Sequence, residues 1–220
     1  MNSRIIAAGI FALFFALNVY GQKKPVSYNL AELSKDKKLQ VYNREVSTFS
    51  ENGKNGIRFS AKENDGIAWL NGVDFANGII ELDIKGKDIL QQSFVGVAFH
   101  GADDKKYDAV YFRPFNFRAE DSVRRIHAVQ YISQPDFTWQ RLREEHNAKY
   151  EKAIVPVVDP NDWFHVKIVV QHPQVSVFVN QESRACLVVE QLSTLKNGKI
   201  GLWVGNQSGG DFTNLTITNR

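Results

Sequence analysis

Among 220 residues there is one cysteine, Cys186. An intramolecular disulfide is excluded, so a fold of this size must rest on its hydrophobic core. Cys186 lies in the apolar run Ala185-Cys186-Leu187-Val188-Val189, the setting of an inert buried thiol rather than of a nucleophile. Net charge is nearly absent as well, with 27 basic against 24 acidic side chains. Their signs alternate, as in Lys35-Asp36-Lys37-Lys38 and Arg141-Leu142-Arg143-Glu144-Glu145, which is the pattern of a solvated surface and argues against nucleic acid as a partner. Arg124-Arg125 reads as a solvent-facing strand end. Spacings of the zinc or EF-hand kind are missing too, so no metal is assigned.

Long apolar runs are absent beyond the N-terminus. There, Arg4 precedes an apolar run from Ile5 to Leu17, followed by Val19-Tyr20-Gly21 and Gln22. These are the charged, apolar and small-residue zones of a secretory signal peptide. Roughly 15 apolar residues fall short of the about 20 that span a bilayer. The expectation is cleavage before Gln22, with residues 1–21 as signal and 22–220 as one mature domain. Such a domain would be secreted or periplasmic, without a membrane anchor. Cleavage would remove Arg4 alone among ionisable groups, leaving 26 basic side chains against 24 acidic.

What fills the rest of the chain is strand. Runs at 57–61, 66–70, 78–85, 93–100, 107–112, 124–132, 163–171, 175–180, 185–190, 199–205 and 212–218 are short and rich in Val, Ile, Phe and Thr. Gly, Asn, Asp and Pro turns separate them, and only 30–34 and 140–148 read as helix. Closely spaced strands without alternating helices predict antiparallel pairing, hence an all-β, two-sheet sandwich. The longest break, 136–160, reads either as a functional loop or as a polar surface excursion pinned by Trp139 and Tyr150 packing inward.

Three segments carry a family resemblance: Gly78-Ile79-Ile80-Glu81-Leu82-Asp83-Ile84; Trp163-Phe164-His165-Val166-Lys167-Ile168-Val169-Val170 with Val175-Ser176-Val177-Phe178-Val179-Asn180; and Gly198-Lys199-Ile200-Gly201-Leu202-Trp203-Val204-Gly205 with Asp211-Phe212-Thr213-Asn214-Leu215. In these the chain resembles the concanavalin A-like lectin/glucanase superfamily of jelly rolls, which includes laminin-G-like modules. Within it the chain looks nearest to the 3-keto-disaccharide hydrolase domain. That family's Asn-Ser-Gly-Ile strand ending in Arg corresponds to Phe94-Val95-Gly96-Val97 ending at His100, and its Tyr-Glu-x-Gln strand to Tyr107-Asp108-Ala109-Val110. The resemblance implies a sandwich and a glycan context, and no catalytic residue is carried over. It implies no cofactor beyond, at most, a structural calcium held by carbonyls and Asp211.

Polar and aromatic side chains concentrate in 107–150. Alternation places Val110 and Phe112 on one strand face, with Tyr111 and Arg113 on the other. Pro114 ends regular pairing just where donors gather. The Arg113 guanidinium, a fork of five donors, suits vicinal hydroxyls or a carboxylate, or else pairs with Asp108 or Asp121. Farther on, His127, Val129 and Tyr131 share a face and Gln130 falls opposite, so a site on the His127 side would leave Gln130 a core amide. Trp139 is the preferred stacking platform for a sugar, with Tyr150 second; Trp163 and Trp203 read as core or rim.

The candidate ligand set is therefore Arg113, Asn116, Tyr111, Tyr131, Trp139 and Tyr150. Asp108, Glu151 and His127 are the catalytic candidates. The strand Glu81-Leu82-Asp83-Ile84-Lys85 lacks the third carboxylate of retaining glucanases and reads as a wet outer face. The leading expectation is a carbohydrate-binding domain, the second a glycoside hydrolase on di- or oligosaccharides, and the third a laminin-G-like protein-interaction module.

Overall fold

The computed structural model describes residues 24–220, and the expected signal segment lies outside them. Fifteen strands are present among the described residues: β1 (Val26–Tyr28), β2 (Leu39–Tyr42), β3 (Val46–Glu51), β4 (Lys54–Phe59), β5 (Gly66–Phe75), β6 (Gly78–Lys85), β7 (Val95–Gly101), β8 (Tyr107–Phe112), β9 (Val129–Gln134), β10 (Glu151–Lys152), β11 (Phe164–Gln171), β12 (Gln174–Val179), β13 (Leu187–Glu190), β14 (Gly198–Val204) and β15 (Gly210–Asn219). Three short α-helices join them, α1 (Leu30–Lys35), α2 (Ser122–Arg125) and α3 (Trp139–Glu145), with one 3-10 turn at Pro114–Asn116. No helix among the described residues is long and apolar enough to cross a membrane.

The strands form two antiparallel sheets, the jelly-roll sandwich. The first runs β13-β12-β11-β6-β15-β4-β3, with β1 also on β15; the second runs β10-β9-β8-β7-β14-β5-β2. Between them Ile80, Leu82, Ile84, Val166 and Ile168 meet Val95, Val97, Val110 and Phe112 in one core, and the Phe112 and Phe164 rings meet edge to face at 5.2 Å. Cys186 is half-buried against this core, and desolvation pushes its thiol up to about 12, away from thiolate reactivity.

The two sheets differ on their outer faces. In β6 and β11 every second residue is buried, so the first sheet shows solvent its other face. In β7 and β8 every residue is buried. Around β7 and β8 the second sheet is therefore covered on both sides, and polar side chains on its outer face there are held away from bulk water.

Two sequence expectations change. Residues 124–132 do not form one strand: the Asp121 carboxylate caps α2 by accepting from the Val123 N–H, and β9 starts only at Val129. The expected strands also began at residue 57, whereas β1, β2 and β3 precede it; these are polar edge strands whose hydrophobic alternation is weak.

Candidate functional site

Directly paired strand residues share a face, and one row crosses the covered face of the second sheet: Tyr42, Ile67, Trp203, Gly96, Tyr111, Gln130 and Glu151. Gly96 sits mid-row because a Cβ there would lie 2.7 Å from the Tyr111 Cβ. Without it, the Tyr111 and Trp203 rings approach to 4.9 Å.

At one end of the row is a charged hub. Arg143, on α3, grips Glu151 with two hydrogen bonds of 3.1 and 3.0 Å. Arg113, only 5 % exposed, lies 3.6 Å from the same carboxylate. It donates to the Tyr111 hydroxyl, the Gln130 Oε1 and the His127 carbonyl. His127 Nδ1 is 2.8 Å from Glu151 Oε2, and Gln130 Nε2 is left without a hydrogen-bond partner. Burial holds the His127 imidazole below the usual histidine range, outweighing the pull of Glu151. Burial likewise pushes the Tyr111 hydroxyl up to about 12.

At the other end the face opens into a cleft of about 330 Å³, lined by Tyr42, Asn64, Asp65, Asp104, Lys105, Tyr107, Gln134, Pro135 and Asn206. That volume lies at the low end of the roughly 300–1,000 Å³ typical of small-molecule sites. Tyr107 donates to Asp65 Oδ2 at 3.1 Å and accepts from Trp203 Nε1 at 3.1 Å. Trp69 Nε1 donates to Asp104 Oδ1 at 2.7 Å. Burial raises the Asp65 carboxyl above the ordinary aspartate range, against its bond from Tyr107 and the charge of Arg44. The buried Arg44 guanidinium organises this wall by donating to the carbonyls of Asn43, Asn64 and Gly205. Lys105 lies over the Tyr42 ring, 5.0 Å from its centroid.

Tyr111, Arg113, Asn116, His127 and Glu151 are thus brought together; Asn116 reaches the His127 carbonyl at 3.4 Å. Asp108 and Tyr131 are not. They face the interior, where Asp108 accepts from Tyr131, Gln191 and Ser193 and adjoins His100, because β8 alternation puts Asp108 opposite Tyr111. Arg113 accordingly meets Glu151, not Asp108 or Asp121. Gln130 sits on the hub side and Tyr131 on the core side, since β9 pairs Gln130 with Tyr111. Tyr150 is buried against Tyr131, their centroids 6.1 Å apart, so it offers no open platform. Trp139 is 46 % exposed on α3, with the Arg143 guanidinium 5.1 Å over its ring.

Asp65, Asp104, Tyr107 and Arg143 were not singled out from sequence; Trp203, read as core or rim, is buried in the core and donates to the Tyr107 hydroxyl. The Tyr107 position on the Tyr111 face was legible by alternation. Asp65 and Asp104 lie in turns far apart in the chain, where nothing local marks them.

Asp211, the carboxylate considered for calcium, is held by both Nε and a terminal nitrogen of Arg58 at 2.8 Å. Among the described residues no group of three or more His, Cys, Asp or Glu side chains is arranged to hold a metal ion.

This two-sheet antiparallel architecture is that of the concanavalin A-like jelly rolls. The chain belongs to the 3-keto-alpha-glucoside-1,2-lyase-like domain family, whose profile matches residues 30–218. No curated protein sequence matches it. Among solved structures it is similar to the carbohydrate binding module CBM66 from Bacillus subtilis, at 16% identity, covering 81% of this chain and 93% of that one, TM-score 0.57. A Bacillus subtilis protein of unknown function with a galectin-like fold aligns at 12% identity over 92% and 100% of the chains, TM-score 0.60. The beta-glucanase of Bacillus licheniformis aligns at 14% identity over 91% and 99%, TM-score 0.53. At these identities the likeness is one of fold.

Proposed function

We propose that the chain is an exported carbohydrate-active protein that binds a sugar in the cleft beside Asp65 and Tyr107. The export reading rests on the signal-like zones between Arg4 and Gly21. The sugar reading rests on the family, whose name describes chemistry on a glucoside, and on one observation: a half-buried carboxylate, Asp65, bonded to a tyrosine hydroxyl at the wall of an open cleft. Asp65 and Asp104 accept from ligand hydroxyls, while Asn64, Gln134 and Asn206 both donate and accept. Tyr42 offers a ring once Lys105 swings aside. Titration calorimetry with glucosides and 3-keto-glucosides tests the reading: Asp65→Asn should weaken binding at least tenfold while the protein stays folded. Unchanged affinity would move the site elsewhere.

A second reading, cleavage, is favoured by the raised pKa of Asp65. A carboxylate less acidic than usual is a better general base at neutral pH. In a 3-keto-glucoside the carbonyl acidifies the C2 proton. Asp65 would take that proton, the C1–C2 double bond would form, and the C1–O bond would break, its electron pair leaving with the aglycone, which gains a proton. The hydrolase, the second expectation from the sequence, would instead have water attack C1. Released aglycone, with or without the unsaturated sugar, separates the two, and full turnover by Asp65→Asn would remove Asp65 from either.

A further inference from the structure

On the opposite side of the sandwich, β15 is flanked unequally. Along one edge it pairs with β6, with a bulge between Thr213 and Thr216. Along the other, β4 takes only Gly210–Phe212 and β1 only Leu215–Ile217. The gap between those two partners, at Thr213 and Asn214, is a cleft of about 300 Å³. Its polar lining is uncharged throughout: Ser27, Tyr28, Asn29, Asn55, Asn214 and the threonines of β15.

This cleft is supported from behind. The buried Thr213 hydroxyl bonds the Asn55 carbonyl and fixes β4 against β15 across the gap. The bulge sets Asn214 at φ 55°, a left-handed conformation that asparagine tolerates, and turns its side chain outward. Asp83 then orients the Asn214 amide by accepting from Nδ2 at 2.8 Å. Asp83 is itself held by Lys54 at 2.9 Å and His165 at 2.9 Å. The carboxylate of β6 that lacks a glucanase partner thus has a different task, fixing which atom of Asn214 points where. The Asn55 side chain is exposed at the cleft, and the Thr213 hydroxyl also lies 3.5 Å from Asn214 Oδ1.

We propose that this cleft is a second binding site, for the hydroxyl groups of a neutral sugar or polyol, on the face of the sandwich opposite the Asp65 cleft. Amides and hydroxyls that both donate and accept match hydroxyl ligands, and no charge in the lining selects an ion. Leu30 and Leu215 add apolar surface to the lining. Two sites on opposite faces would let one domain contact two glycan chains, or two stretches of one polymer, at once.

Nuclear magnetic resonance titration of ¹⁵N-labelled protein with glucose, maltose and cellobiose tests it. The expected result is a saturable set of shifts at Ser27, Asn55 and Asn214, separate from any set at Asp65 and Tyr107. Asn55→Trp, at an exposed position, should fill the cleft and abolish the first set while leaving the second unchanged. Asp83→Asn, which keeps the shape but weakens the hold on Asn214, should lower affinity in the first set several-fold. Absence of shifts at Ser27, Asn55 and Asn214 with all three sugars would overturn the proposal, as would shifts there that persist in Asn55→Trp. Shifts confined to this cleft would support it while sinking the Asp65 assignment.

Discussion

Arg143 reaches from α3 to both oxygens of Glu151 on β10, at 3.1 and 3.0 Å, and so fastens a helix over the covered face of the second sheet. The same carboxylate, 1 % exposed, is the nearest counterion of the buried Arg113. Glu151→Gln keeps the shape and deletes the charge. Because it strands a buried guanidinium, it should cost about 3 to 5 kcal/mol of stability. Urea unfolding measures this, and a loss below about 1 kcal/mol would mean that the carbonyl and hydroxyl acceptors around Arg113 suffice without Glu151.

Asp65 gives the opposite sign. Burial raises its folded pKa, so ionisation works against the fold. Its favourable contribution is fully present below the unfolded value near 3.8 and is lost as pH rises through the higher folded value. Asp65→Asn should therefore match wild type at low pH and exceed it at neutral pH. Melting curves across that range decide it; a variant less stable at pH 7 than wild type would show that the ionised carboxylate is net stabilising.

His165 carries a pH dependence in a different window. Its bond to Asp83 holds it above the usual histidine range, with burial opposing. Burial also pushes Asp83 upward, but the bonds from His165, Lys54 and Asn214 prevail and leave that carboxyl well below the ordinary range. The histidine's contribution is fully present below its unfolded value of 6.5 and fades as pH rises through the folded one. The melting temperature of wild type should fall between pH 6 and 8 by more than that of His165→Asn. Parallel curves would remove His165 as the source.

Two tryptophans should separate cleanly. Trp203 is 3 % exposed between Tyr107 and Tyr111, so Trp203→Ala should cost about 3 to 5 kcal/mol. Trp139 touches the hub through the face of its ring against Arg143, and Trp139→Ala should cost no more than about 1 kcal/mol. Equal losses in chemical denaturation would contradict the placement of either ring.

Much of the fold was legible because strand periodicity is local. The bounds of β6 and β8 and the split of Tyr111 and Arg113 from Val110 and Phe112 follow from alternation alone. The Arg124–Ile132 stretch misled because a single capping carboxylate, Asp121, outweighs four residues of modest strand preference. Tyr131 was placed in the ligand set although it faces the core, because alternation says which residues share a side, not which side meets the other sheet.

By itself the sequence determined a disulfide-free, near-neutral sandwich of antiparallel strands, since composition and a two-residue period need no knowledge of distant partners. Tertiary structure alone decided that the second sheet is covered on both faces around β7 and β8, that Arg113 answers to Glu151 rather than to Asp108, and that Asp65 and Tyr107, 42 residues apart, share a hydrogen bond. Register between strands brings such pairs together. It is set by the packing of the whole core, which no local pattern encodes.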